Sequence, residues 1–248
     1  MASRPSAEAP RSGTSSKALP SSEALAARVV ACERCPELRA YCATVAREKK
    51  RAHRDETYWG KPVPAFGDPQ ARLLLVGLAP GAHGSNRTGR MFTGDASGEW
   101  LYRALFRAGF ANQPNQRDAD DGLELRDALI TAALHCAPPG NKPTPQQLER
   151  CSAHLLADIA ALQNVRVVVG LGAIGTRAAI AALRAAGYVS DEKPAFAHGA
   201  EVRLRHAKRP AVVLLASYHP SRQNTSTGVL TEAMLDAVFT RAAALLHK

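Results

Sequence analysis

Four of the five cysteines in this 248-residue chain are spaced as ligands. Cys32 and Cys35 form a C-x2-C pair, and Cys136 and Cys151 supply two more thiols with fourteen residues between them. A tight pair plus two distant partners can enclose a tetrahedral zinc or an iron–sulfur cube, and spacing leaves both open. Cys42 is a fifth, unmatched cysteine that could stand in for one of the four. Ordinary buried cysteines are the plain alternative. The N-terminal stretch MASRPSAEAPRSGTSSKALPSSE has no apolar centre and does not read as an export signal, so free or metal-bound thiols in a reducing cytoplasm are expected, not disulfides.

Three loops carry the other candidate groups. The longest, GLAPGAHGSNRTGRMFTGD at residues 77–95, holds five glycines. Glycines let backbone approach a ligand closely and present N–H groups to it, although the lysine and spacing of a Walker loop are missing. The single acid of this loop is Asp95, which suits chemistry and equally suits the N-cap of a following helix. CAPPGNKPTP at 136–145 is dense in proline. Rigid prolines fix Asn141 and Lys142, and an amide in a fixed pose can read a base edge; a structural turn would use the prolines equally well. SYHPSRQN at 217–224 sets His219 before a proline, with Arg222, Gln223 and Asn224 suited to phosphates or minor-groove acceptors. A lone histidine is more often structural than catalytic.

These loops need elements to hold them. Short apolar runs at 73–76, 128–134, 165–171 and 212–216 read as buried strands. Alanine-rich stretches at 23–30 and 39–54 look helical, as do 98–108, 146–162, 173–186 and 231–247. Pro145 suits a first helical turn with Thr144 as its N-cap. Alternating strand and helix imply an α/β fold, a parallel sheet with helices on both faces. Right-handed crossovers then gather the loops after the strands on one edge.

The bulk numbers agree. With 46% hydrophobic residues the chain can bury one good-sized core, and the tail at 1–21, rich in Pro, Ser, Ala and Gly, reads as disordered ahead of one domain at 22–248. A formal charge of +10 suits a polyanionic partner, because each phosphate contact releases condensed counterions. No apolar run approaches the ~20 residues that span a bilayer.

The segments YWGKPVPAFGDP, GLAPGAHGSNRTGRMFTGDASG, CAPPGNKPTPQQLERC and SYHPSRQNTSTG run in this order over nearly the whole folded chain. In them the chain resembles the family 5 uracil-DNA glycosylases, the iron–sulfur type of bacteria and archaea. The resemblance implies a three-layer α/β/α sandwich around a four-stranded parallel sheet. It implies a structural [4Fe–4S] cluster on Cys32, Cys35, Cys136 and Cys151, with Cys42 free. Phe92 matches the aromatic that stacks on the flipped base, beside Gly77, Ala79, Pro80 and Gly81. Asp95 matches the proposed water-activating or cation-stabilising carboxylate, Asn141 the asparagine that contacts base or water, and His219 the donor to the departing base. Ser85, Asn86, Arg87, Lys142, Ser221, Arg222, Gln223 and Asn224 are the implied DNA contacts.

Other uracil-DNA glycosylases carry an aspartate or a glutamate in the first motif, where this chain has Ala79 and Leu78. Family 5 shares that loss. The expected protein is thus a monomeric, cytoplasmic enzyme without lyase activity. Its expected substrate is double-stranded DNA, with single-stranded DNA as a second form, bearing uracil, hypoxanthine, xanthine or etheno-cytosine. A nucleotide or nucleoside hydrolase on a similar sheet, or a non-enzymatic iron–sulfur DNA-binding module, would each keep part of the pattern.

Overall fold

The computed structural model describes residues 20–192 and 195–247. Ser21 opens it as the N-cap of α1 (Ser22–Val30), accepting from the Ala24 N–H at 3.2 Å. Of the tail expected to be disordered at 1–21, residues 1–19 lie outside the described part. α2 (Pro36–Glu48) starts on a proline at its first turn, with Cys35 at the N-cap. It ends six residues before the expected helix boundary, where Lys49 turns into a left-handed backbone at φ 54°.

The two-residue β1 (Phe66–Gly67) leads to the first central strand, β2 (Leu73–Gly77). The glycine loop after β2 contains the single-turn α3 (Ser85–Thr88) and ends at α4 (Ala96–Arg107). β3 (Ala128–Ala132) is followed by α5 (Pro145–Ala161), which begins with the expected Thr144 cap. That cap is a full capping box, with Thr144 and Gln147 each bonding the other's backbone N–H. β4 (Val167–Leu171) runs directly into α6 (Gly172–Ala185). β5 (Glu201–Leu204), β6 (Val212–Ser217), α7 (Arg222–Ser226) and α8 (Glu232–Leu246) complete the chain.

The expected four strands form the parallel centre of the sheet, in the order β3-β2-β4-β6. Among the described residues the sheet itself has six strands, because β1 and β5 add antiparallel edges to β3 and β6. These edges correct the four-stranded expectation. β1 spans two residues, and β5 shows only one short exposed–buried alternation, too little for a periodic signal.

All five residues of β2 are buried, as a strand covered on both faces requires. Leu73 and Leu75 face the layer of α4 and α8, packing with Leu101, Leu105, Val238 and Phe239. Leu74 and Val76 face α5 and α6, packing with Leu155, Ile159, Ala179 and Leu183. A third cluster joins α2 to the loop after β3 through Leu38, Cys42, Leu134 and Ala137. No helix among the described residues is long and apolar enough to cross a membrane.

Candidate active site and cysteine cavity

The chain leaves β3 on one side of β2 and continues at β4 on the other. That reversal opens a crevice beyond the strand ends, where α/β sheets bind ligands. A cavity of ≈ 250 Å³ lies there, walled by Leu78, Ala79, Gly81, Ser85, Phe92, Asp95, Ser97, Asn141, His219 and Ser221, with Met91 behind. It opens into a groove of ≈ 850 Å³ that shares Gly81, Asp95, Ser97, Asn141 and Ser221 and adds Lys142, Arg222 and Gln223.

Phe92 forms one wall of the cavity in a left-handed backbone, φ 53°. Such a conformation costs a non-glycine residue roughly 1–2 kcal/mol and persists only when its surroundings enforce it. Here the Tyr102 hydroxyl donates to the Met91 carbonyl at 2.7 Å on one side. On the other, Gly98 comes so close to the Phe92 carbonyl that any β-carbon would sit 1.8 Å from its oxygen. The Phe92 ring stacks on His219, 5.7 Å between centroids at 28°. Burial holds the His219 imidazole down to about 4, so it is neutral at pH 7.

Asp95 is both things its position suggested. It is the N-cap of α4, with Oδ1 accepting from the Gly98 N–H at 3.1 Å. Oδ2 is packed against Gly81 and Gly84, where a side chain would collide with it. Burial raises this carboxyl above its ordinary range, opposed by the N–H groups of Gly98 and Ser97. Among the described residues Asp95 is the one carboxylate lining the cavity; Leu78 and Ala79 offer none.

Several expected contacts sit elsewhere. Gly77 and Pro80 are buried and outside the cavity wall. Gly77 instead makes room for the Phe92 ring, 2.7 Å from where its β-carbon would lie. Asn86 and Arg87, expected as DNA contacts, are buried inside the loop. The Asn86 amide donates to the Cys42 and Ala82 carbonyls. The Arg87 guanidinium bonds the His83 carbonyl at 2.9 Å, the Gly94 carbonyl at 3.0 Å and the Glu56 carboxylate, pinning both ends of the loop. Ser85 is also buried, but lines the cavity. Asn224 donates to the His219 carbonyl at 2.9 Å, so it holds the histidine loop and does not face the groove.

Two groups of site residues carry no signal in the sequence. Gln116, in a polar loop with no motif, clamps the peptide that carries the candidate carboxylate. Its Oε1 accepts from the Gly94 N–H and its Nε2 donates to the Asp95 carbonyl at 3.2 Å. Its loop is anchored by a buried bidentate pair, Arg90 with Asp121 at 2.7–2.8 Å. The second group, Tyr41, Lys50, His53 and His83, borders the groove.

Cys32, Cys35, Cys136 and Cys151 border one small cavity together with Leu38, Leu134 and Pro62, and Cys42 does not. Cys42 lies behind it, with its Sγ 3.7 Å from the Ala137 carbonyl oxygen. Among the described residues no three His, Cys, Asp or Glu side chains converge on a single-ion position. Three buried polar atoms without a partner, Arg39 Nη1, His135 Nε2 and His154 Nε2, belong to residues lining this cavity. Burial pushes the Cys151 thiol up to about 12 and raises Cys35 as well. Ionising such thiols calls for a bound cation.

A family model described as the Uracil DNA glycosylase superfamily matches residues 64–243. The chain belongs to the uracil-DNA glycosylase superfamily. It is 49% identical over 220 residues to the type-5 uracil-DNA glycosylase of Thermus thermophilus, covering 89% of this chain and 96% of that one. It is 48% identical over 219 residues to its counterpart in Mycobacterium tuberculosis, covering 88% and 79%. A type-4 uracil-DNA glycosylase of Archaeoglobus fulgidus is similar over 110 residues only, at 34% identity and 44% of this chain. Within the superfamily, the chain thus stands with type 5 over nearly its whole described length.

Proposed function

We propose that this protein is a monofunctional DNA glycosylase that hydrolyses the N-glycosidic bond of uracil in DNA and so begins base-excision repair. The observation that carries the reading is a base-sized cavity, walled by Phe92, His219 and Asp95, opening into a groove lined by Lys142 and Arg222. Similarity to type-5 uracil-DNA glycosylases over most of the chain supports it.

A base inside a duplex is out of reach, so the target nucleotide is extruded at a cost of a few kcal/mol, least at a mismatch. This favours uracil opposite guanine. The extruded ring slides against Phe92, its edge read by Asn141 and by backbone near Ala79 and Gly81. α7, capped by the Ser221 hydroxyl, offers Arg222 and Gln223 to the space the base leaves.

Breaking the C1′–N1 bond builds positive charge on the sugar and negative charge on the base, and fixed dipoles aimed at both are the effective catalyst. The neutral His219 is able to donate a hydrogen bond to the pyrimidine O2 as it gains charge. Asp95, ionised, offsets the sugar cation and orients the attacking water. Among the described residues no lysine lines the cavity, so strand cleavage through a Schiff base is not expected. No carboxylate stands at Leu78 or Ala79 to restrict the pocket to one base, and hypoxanthine, xanthine and etheno-cytosine are further substrates of this reading.

In this reading Cys32, Cys35, Cys136 and Cys151 hold a [4Fe–4S] cluster, whose service is structural. It ties the segment before α2 to the loop after β3 and to α5. Thiols set around a cavity without converging on one point suit a polynuclear core better than a single ion.

The test is an assay of the purified protein, in excess over duplexes that each carry one modified base, and over a uracil-containing single strand. Free uracil should be released, and the strand should break only after alkali. No release from any uracil substrate would remove the assignment. The same preparation should be yellow-brown with about four irons per chain. Serine at Cys32, Cys35, Cys136 or Cys151 should lose iron, whereas Cys42→Ser should keep it; stoichiometric zinc without iron in anaerobic protein would remove the cluster.

A further inference from the structure

The groove has two cationic banks. One carries Arg222, which opens α7 after β6; Lys142 adds a charge from the loop after β3. The other comes from the segment after α2, which places Lys50 and His53 on the groove. Lys49 ends α2 in a left-handed backbone and a 3₁₀ turn at Arg51–His53 follows, so the basic run KKRAHR leaves the helix direction where Lys50 and His53 reach the groove.

This second bank is held in place. Lys49 Nζ donates to the Arg54 carbonyl at 3.1 Å, and the Lys50 N–H donates to the Tyr58 hydroxyl at 3.3 Å. That hydroxyl also meets His83 Nδ1 at 3.1 Å, tying the bank to the glycine loop. Nearby acids are engaged in part: Glu56 bonds His53 and Arg87, and Glu48 faces Arg47. Lys50, Arg51 and Arg54 are exposed, and none of them figures among the ion pairs of the described residues. Burial first, then the neighbouring charges of Lys50, His53 and Arg87, hold His83 below its ordinary value.

We propose that residues 50–54 are a phosphate-binding bank, gripping the DNA backbone on the side of the cavity away from Arg222. The inference rests on the DNA-glycosylase reading above. A nucleotide swung out of the helix displaces the phosphates on both its flanks. Contacts on both sides hold that bent path and offset the cost of unstacking, which one bank alone would do for a single flank.

The test measures affinity of the full chain for a short fluorescent duplex bearing a non-cleavable uracil analogue, over a series of salt concentrations. Removing one cation that neutralises a phosphate should flatten the slope of log affinity against log salt by about 0.9. The triple variant Lys50→Gln, Arg51→Gln, Arg54→Gln should therefore lose about one to three from that slope, and bind roughly ten- to a hundredfold more weakly at low salt. A control triple, Arg177→Gln, Arg184→Gln, Lys208→Gln, removes the same charge from exposed positions outside the groove lining and should keep the parental slope. A parental slope in the first triple, or equal flattening in the control, overturns the bank. A parent that neither excises uracil nor binds DNA overturns the glycosylase reading with it; a parent that excises while the first triple keeps its slope overturns the bank alone.

Discussion

Asp95 and Asp158 are both aspartates that burial holds above the ordinary carboxylate range, and their surroundings differ in every other respect. Asp95 stands at the join of two open spaces, facing a neutral histidine and an aromatic wall, with backbone N–H groups aimed at it. Asp158, on α5, is pushed up to about 6. It accepts from the Thr131 hydroxyl at 2.6 Å and borders a separate cavity of ≈ 380 Å³ beneath α1. That cavity is larger than the base-sized one, yet among the described residues its lining is mostly apolar, and beside the acid it has the neutral side chains of Ser21, Ser22 and Gln70 but no histidine, cation or aromatic wall. A displaced carboxyl is therefore a sign of burial first; convergence of several groups makes it a sign of chemistry.

The contrast is broken or sharpened by three measurements. The largest effect belongs to Asp95. Asp95→Ala should slow single-turnover excision by roughly two to three orders of magnitude, the usual cost of losing one transition-state electrostatic partner. Asp95→Asn should slow it comparably while keeping the helix cap, whose loss in the alanine variant costs about 1 kcal/mol. A folded Asp95→Ala protein at the parental rate would remove the residue from the mechanism. Asp158→Asn should leave excision unchanged; a rate loss there would erase the distinction between the two acids.

Asp158 should act on stability instead. Its folded pKa of about 6 lies above the unfolded value near 4. The folded state thus holds a proton the unfolded chain gives up, and the benefit present below about pH 4 is lost as pH rises through 6. Asp158→Asn should gain up to about 2–3 kcal/mol relative to the parent above pH 7, and nothing near pH 4. His135, His154 and His219, each held at about 4, act with the opposite sign. Their stability is present above about 6.5 and lost as pH falls toward 4, and it cancels in the difference between the two proteins. A difference in unfolding free energy that does not vary with pH would show that Asp158 is well solvated. The smallest effect is expected at Gln116. Gln116→Ala should slow excision about tenfold, or ~1.4 kcal/mol, at unchanged DNA affinity. Gln116→Glu, which keeps the acceptor for Gly94, should recover part of the rate. An unaltered rate in Gln116→Ala would separate the clamp from the chemistry.

The parts of this molecule that a sequence can show are those with local signals. β4 is a β-branched run closed by glycine, and the start of α5 is a Thr-Pro cap three residues ahead of Gln147. The four grouped cysteines, Asp95, Phe92 and His219 all lie in long unusual segments. What was illegible depends on direction in space. Asn86 and Arg87 are polar residues in a glycine loop and look like surface groups; only the folded loop turns them inward to tie its own carbonyls. Gln116 lies in a run of polar residues with no periodicity, and its value comes from a contact more than twenty residues away in the chain. The basic run at 49–54 reads as the end of a helix, because nothing local announces that Lys49 stops it.

The antiparallel edges have a consequence for how the protein behaves in a crowd. A parallel sheet ends in a strand whose outward N–H and C=O groups can pair with any extended chain, including another copy. β5 covers that row on β6, and its own outward side is short, with Glu201 fixed to Arg241 at 2.6 Å and Arg203 exposed. Charge and brevity make a poor template for further pairing. Damage to β5 would first be seen as clumping, while the molecules still in solution went on cleaving their substrate at the far ends of the strands.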